Sequence, residues 1–275
     1  QCFGFFSLYS YICIMTNLRY TPPLEEFCMK IDQTIAEFFR EAAENATIEY
    51  VYLGLGYSAV LLSDGRCGIC YTPKATEGNC MVYKDADTFE GEGASNLLSC
   101  ISDANPLKRS MAIALVNALY QEQALLLDQD KPSLHNNMNL KPGAQVAMIG
   151  YFAPIIKTLK DAGIEVRAFD YAKTHESEES FYQWAKNNCD ALILSATSLI
   201  NASFESVLSR FSDHRVPTVL MGPSTIMAKE LYQGLPLDYL AGSAVLNTEG
   251  VLKSIRNGRG TPYIQKDCKK VWLKL

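Results

Sequence analysis

VAMIGYFAPIIKTLKDAGIEVRAFD, residues 146–170, decides the fold of this 275-residue chain. The apolar run ahead of Gly150 reads as a buried strand, and the stretch from Pro154 as a helix. Ile164–Asp170 reads as a second strand closed by an acid. A strand, a helix and a strand of this length form a right-handed parallel crossover. The turn after the first strand lacks the G-x-G-x-x-G that would seat a pyrophosphate. Only Gly150 is present, and Tyr151, Phe152 and Pro154 follow it. Two aromatic rings would crowd a phosphate where a second glycine should let it approach the backbone. Asp170 stands where dinucleotide enzymes keep the acid that grips a ribose hydroxyl, but without the glycines NAD is not expected in its usual pose.

The same alternation continues outward. Strands are expected at 145–150, 164–170, 191–195, 218–222 and near 239–240, with helices at 154–162, 178–187, 203–211, 225–233 and 248–257. Short, wholly apolar strands between helices indicate a parallel sheet covered on both faces, a Rossmann-like arrangement. The tail, YIQKDCKKVWLKL, is expected to add an antiparallel hairpin. The polar, turn-rich LDQDKPSLHNNMNLKPG reads as the linker in front of this domain. The divisions are an apolar N-terminal extension at 1–15, a small α+β domain at 16–128 and the Rossmann-like domain at 129–275.

In the first half, apolar residues at helical spacing predict an amphipathic helix over 24–44. Three apolar runs follow, TIEYVYLGL, YSAVLLS and CGICYT, with Asp64-Gly65 as a hairpin signal between the last two. Residues 73–95 read as a loop rich in glycine and acid. SNLLSCIS is a short helix, and Asn105-Pro106 starts a longer one, Asn as N-cap and Pro at the first helical position. That helix carries a stripe of Leu107, Met111, Leu115 and Leu119, with Ser110, Ile113, Ala114, Asn117 and Gln121 on its other side. So few charges all round place it between two layers.

Composition narrows the function. Lys and Arg number 25 against 30 Asp and Glu, for a net charge of −5, with no basic cluster beyond KDCKK. This argues against nucleic acid or an anionic membrane as partner, because phosphate binding needs concentrated positive charge. Nine scattered cysteines show no disulfide framework and suit a reducing cytoplasm. Residues 1–14 are apolar and uncharged but short for a bilayer span. They read as an extension ahead of Met15, with a membrane anchor as the alternative. Cys67 and Cys70 have C-x-x-C spacing, yet residues three apart on a strand point to opposite faces and cannot chelate one ion together. His135, His175 and His214 are scattered, and no nucleophile or general base is named by motif.

Three turns share the rim at the carboxyl ends of the strands, where open parallel sheets bind ligands. They are GYFAP with Gly150, Tyr151 and Phe152; SATSLIN with Thr197, Ser198 and Asn201; and MGPSTIM with Gly222, Pro223, Ser224 and Thr225. The last is expected to lead straight into a helix and offer free N–H groups. Each polar residue alone could be an ordinary cap or turn residue; together the three turns suggest a crevice. Asn117 reads equally as a core hydrogen-bonding group or as a crevice residue beside Thr72-Pro73.

YTPKATEGN, ALVNALY, VAMIGYFAP, SATSLINASFESVL, VLMGPSTIM and LAGSAVLN, in that order, resemble the two-domain heavy-metal-chelation family of prokaryotic proteins. The likeness runs from Glu25 to the C-terminus. It implies an enolase-N-terminal-like domain followed by a Rossmann-like one, with a site where they meet. It further implies a heavy-metal ion or metal complex as ligand, and a link to anaerobic cobalamin (corrinoid) synthesis. By motif, the site residues implied are Thr72, Asn117, Gly150, Tyr151, Thr197, Asn201, Gly222, Pro223 and Ser224.

Three functions are therefore expected in order. The first is cytoplasmic binding of a small polar or metal-bearing ligand in the crevice between domains. The second is an enzyme acting on a nucleotide or tetrapyrrole precursor through Asp170. The third is a non-catalytic partner in metal transport or biosynthesis. Homo-oligomerisation is left open.

Overall fold

A computed structural model describes residues 29–74, 83, 88–129, 134–171, 174, 176–212 and 215–275. The extension at 1–14, the start of the helix expected at 24–44, much of the 73–95 loop, His175 and His214 lie outside the described residues. Helix α1 (Met29–Glu44) buries Ile31, Ile35, Phe39 and Ala43, one residue per turn. Strands β1 (Ile48–Leu53), β2 (Tyr57–Leu62) and β3 (Cys67–Tyr71) form an antiparallel sheet in chain order. Between β2 and β3 the turn closes as Asp64-Gly65 requires. Asp64 Oδ1 accepts from Arg66 N at 3.0 Å, and Gly65 takes a φ of +89°.

After α2 (Ala94–Leu98) and a 3-10 turn (Ser99–Ser102) comes α3 (Pro106–Leu119). Asn105 caps α3 as expected, its side chain accepting from Leu107 N at 2.9 Å. The helix is buried nearly all round. It crosses β3 at Gly68, where an added Cβ would lie 2.1 Å from Ala118 N and 2.2 Å from the Ala114 carbonyl oxygen. The glycine inside CGIC is thus required by the helix-on-strand approach. Cys67 and Cys70 do face opposite sides, one packed with Tyr57, Ala59 and Ile69, the other with Val60 and Leu62. Burial pushes their thiols up to about 12 and about 11, so both stay protonated.

The chain passes through α4 (Gln121–Leu126), the short strand β4 (Asp128–Gln129) and α5 (Leu134–Asn137) into the larger domain. There follow β5 (Gln145–Ile149), α6 (Ala153–Asp161), β6 (Glu165–Phe169), α7 (Glu178–Asn188) and β7 (Ala191–Ser195). Next come α8 (Thr197–Ile200), α9 (Phe204–Ser209), β8 (Thr218–Met221), β9 (Tyr239–Val245), α10 (Thr248–Arg256), α11 (Thr261–Ile264) and β10 (Cys268–Lys274). The strand order is β4-β10-β9-β8-β7-β5-β6. Strands β6, β5, β7, β8 and β9 are parallel; β10 runs antiparallel to β9, and β4 to β10. Alternate residues face opposite layers, Ala147, Ile149, Leu192 and Leu194 one way, Val146, Met148 and Ile193 the other.

Three local expectations are corrected. The tail supplies one strand, β10, antiparallel to β9, and no hairpin of its own. No helix spans 225–233; the chain is extended at Ala228 and forms only a 3-10 turn at Lys229–Tyr232. Thr225, Ile226, Met227 and Ala228 are all inside, and their polar groups bond outside any helical pattern: Thr225 Oγ1 donates to the Ala241 carbonyl and the Ile226 carbonyl accepts from Tyr232 OH, both at 3.0 Å. The turn expected at 195–201 instead holds the short helix α8.

One core runs through both domains, from Ile31 and Phe39 to Leu194 and Phe204. Buried polar residues stitch it. Arg109 on α3 holds Asp32 on α1 with two bonds of 2.7 and 2.9 Å, and donates to the carbonyls of Leu199 (2.7 Å) and Ile200 (3.0 Å). Glu205 Oε1 accepts from Ile31 N at 2.7 Å. Gln121 accepts from Cys67 N and donates to the Val245 carbonyl, both at 2.7 Å.

Candidate functional site

Strand β5 lies between β6 and β7, so the chain leaves β5 to one side and returns on the other. This is the switch point at which a doubly wound sheet leaves a crevice beyond its strand ends. Gly150 ends β5 there with φ +101°, and a Cβ would meet Ser195 Cβ at 2.7 Å. Gly222 ends β8 with φ +132°. Both turns use conformations that side-chain-bearing residues rarely adopt, and both N–H groups are taken: Gly150 donates to Phe169 O (2.8 Å), Gly222 to Ala241 O (3.0 Å).

A cavity of about 500 Å³ opens above these turns. The larger domain supplies Gly150, Tyr151, Phe152, Thr197, Asn201, Gly222, Pro223 and Ser224 from the three rim turns, together with Asp170 just after β6. The smaller domain covers it with Tyr57, Tyr71, Pro73 and Lys74. Ser195 and Thr261 also line it. Lys74 and Asp170 are its two charged residues among those described.

Four expected residues do not line the cavity. Thr72 is buried, its hydroxyl 2.9 Å from Ser58 Oγ. Asn117 donates to the Ile69 carbonyl at 3.0 Å and borders a separate gap of about 10 Å³, the size of one water; the structure gives it the core hydrogen bond. Thr225 donates to the Ala241 carbonyl at 3.0 Å and is buried. Ser198 faces the interior from α8, its buried hydroxyl without a partner among the described residues. Ser224 is at the cavity floor but is almost wholly buried, and its hydroxyl accepts from Tyr71 N at 2.9 Å. It joins the two domains. With no helix after it, GPST offers no helix N-terminus to a ligand.

The groups left toward the cavity are neutral hydrogen-bonding side chains and aromatic faces. Ser195 Oγ and Thr197 Oγ1 are 2.9 Å apart. Asn201 Oδ1 accepts from Ser203 within its own turn, so its amide NH₂ is the end available to a ligand. Tyr57 OH meets Thr261 Oγ1 at 2.7 Å. Burial raises the Tyr57 phenol, and burial with the Asp170 carboxylate raises Tyr71. Both therefore act as neutral phenols at physiological pH.

Such a donor set fits oxyanions, carbonyls and ring faces. It does not fit a bare soft cation, which takes thiolate or imidazole. The described thiols at Cys67, Cys70, Cys189 and Cys268 are buried and shifted upward. Among the described residues, no group of three or more His, Cys, Asp or Glu is placed to hold a metal ion. None of their helices is long and apolar enough to cross a membrane.

Tyr57, Tyr71, Lys74, Ser195 and Thr261 were missing from the sequence-derived set. Lys74 and Ser195 carried one usable signal, since each lies at or just after a strand end. Tyr57 and Thr261 carried none, because only the docking of the domains brings them there.

Comparison with known proteins agrees with this architecture. Among solved structures, a DUF364 protein of unknown function from Pyrococcus horikoshii superposes with TM-score 0.69 at 22% identity, covering 89% of this chain and 100% of its own. A second, from Desulfitobacterium hafniense DCB-2, gives TM-score 0.68 at 16% identity, covering 88% and 99%. These likenesses establish the α/β fold, an enolase-N-terminal-like domain followed by a Rossmann-like one. No curated protein matches the chain. Two family models, both described as "Putative heavy-metal chelation", match residues 36–120 (DUF4213) and 133–274 (DUF364). The chain therefore belongs to the DUF364 heavy-metal-chelation family.

Proposed function

We propose that this protein binds a small polar ligand, or a metal already held in an organic complex, in the cleft between its domains. The observation that carries this reading is the cavity of about 500 Å³ at the sheet's switch point, walled by residues of both domains. Ligand pockets of this kind range over about 300–1,000 Å³ and combine apolar walls with a few placed polar groups. Tyr151, Phe152 and Tyr71 supply the walls. Thr197, Ser195 and the Asn201 amide orient oxygen atoms, and Lys74 balances an anionic charge. A metal would arrive inside its own ligands, since the cleft lacks soft donors.

The test is native mass spectrometry with elemental analysis of protein purified without an affinity tag. A stoichiometric small molecule or metal complex is expected, lost or strongly reduced in Asn201→Ala with Lys74→Gln. Equal retention by wild type and this double variant would remove the cleft as its site.

An enzymatic reading has one specific support: the Tyr71 phenol and the Asp170 carboxylate line the same cleft from opposite domains. That pair could pass a proton to a bound nucleotide or tetrapyrrole precursor. Turnover unaffected by Asp170→Asn would eliminate it.

A further inference from the structure

Behind Phe152 and Gly222 lies a second chamber of about 140 Å³. It shares Tyr57, Phe152, Met221, Gly222, Pro223 and Thr261 with the cleft, so the two spaces adjoin. Unequal strand lengths create it. The pairing of β8 with β9 ends at Met221 and Ala241, while β9 continues to Val245 against β10. Beyond Ala241, β9 and β10 form a ledge with no β8 beside it, and Ile155 of α6 also lines the space. At the edge of this ledge Gly222 carries no side chain, and a Cβ there would sit 3.8 Å from the Phe152 ring.

The chamber differs from the cleft in chemistry. Its walls are more apolar: Ile155 and Ala241 belong to it alone, beside the Tyr57, Phe152 and Met221 side chains it shares with the cleft, and Ser243 and Gln265 are its own neutral polar residues. Lys270, opposite Ser243 on the neighbouring strand, is its one charged lining residue among those described. A void near 150 Å³ accommodates about one benzene ring. We infer that this chamber is a subsite for an arm of the cleft ligand, an apolar segment the size of one ring ending in a carboxylate beside Lys270. The inference rests on the cleft being the ligand site and adds the ligand's shape: a polar body in the cleft, joined past Phe152 to a short carboxylate-bearing arm.

The experiment uses 4-fluorobenzoate as probe, titrated into the full-length protein and followed by ¹⁹F NMR. A fragment of this size is expected to bind at millimolar affinity. Lys270→Gln should weaken it about fivefold, a moderate loss because the ammonium is exposed and screened. Ile155→Trp, which fills the chamber from a half-exposed position, should abolish binding. Lys74→Gln, in the cleft, should leave it within about twofold. Binding that follows Lys74→Gln and ignores both other variants would place the ring in the cleft, overturning the subsite while the cleft reading survives. Wild type that takes up no probe at all would overturn the subsite too, leaving the cleft to be judged by the Asn201→Ala and Lys74→Gln result.

Discussion

The contact between the two domains has a closed seam and an open cleft, and their polar groups behave differently. Along the seam Arg109, Gln121 and Glu205 each reach across the boundary and end on a partner, all of them buried. Along the cleft the polar groups bond mostly within their own turn, Ser195 to Thr197 and Asn201 to Ser203. Ser224 with Tyr71 at the floor and Tyr57 with Thr261 at the edge are the crossings there. Polar groups that the fold needs are already paired, because a buried unpaired group is costly. Those kept within a solvated turn can exchange water for a ligand. The difference separates residues that hold the domains from residues that would hold a guest.

The largest effect should come from the seam. Arg109→Met leaves Asp32 buried and unpaired, and should cost about 3–5 kcal/mol in urea denaturation. A loss below 1 kcal/mol would mean that the seam is wetter than described. Next, Gly68→Ala forces a methyl into the α3 backbone at 2.1 Å and should cost about 1–3 kcal/mol or more by overpacking. Replacement without penalty would show that α3 does not sit on β3 this closely.

The cleft offers a sharper contrast between two polar residues of one rim. Ser224→Ala strands the Tyr71 N–H and should cost about 1–2 kcal/mol. Asn201→Ala, exposed and bonded only to its own turn, should stay within about 0.5 kcal/mol while reducing ligand occupancy. Reversed magnitudes would dissolve the distinction between seam and cleft.

The smallest effect tests charge within the seam. Burial raises the Glu205 carboxyl above its usual range, with Asp32 adding to the rise and Arg109 opposing it. A raised carboxylate binds its proton more tightly in the folded state, so its contribution to stability falls as pH rises through the folded pKa. Glu205→Gln keeps an acceptor for Ile31 N and removes the buried charge. It should raise Tm slightly at pH 8, with the gain shrinking as pH falls toward the ordinary carboxylate range. A lower Tm at pH 8 would show instead that the charge supports the start of α1.

Much of this was legible in the chain itself. Residues 146–149 and 191–194 are apolar throughout because both faces of their sheet are covered, and that pattern survives without tertiary knowledge. Asn105-Pro106 marked a helix start because capping is local chemistry. Residues 225–233 misled because Pro223-Ser224-Thr225 reads as a helix start, while Thr225, Ile226, Met227 and Ala228 are drawn into the core without forming a helix. Arg109 was silent, since its partner Asp32 is 77 residues away and nothing local marks a buried arginine. The cleft was half legible. Its floor comes from strand-end turns in one domain, but Tyr57, Tyr71 and Lys74 reach it only when the other domain docks.

The most direct test of the central claim is a crystal structure of the untagged protein purified with whatever it retains. The account predicts density in the cleft within bonding distance of Asn201 or Thr197 on one side and Tyr71 or Lys74 on the other. Ligand density on another surface, with this cleft filled by its own side chains, would contradict it.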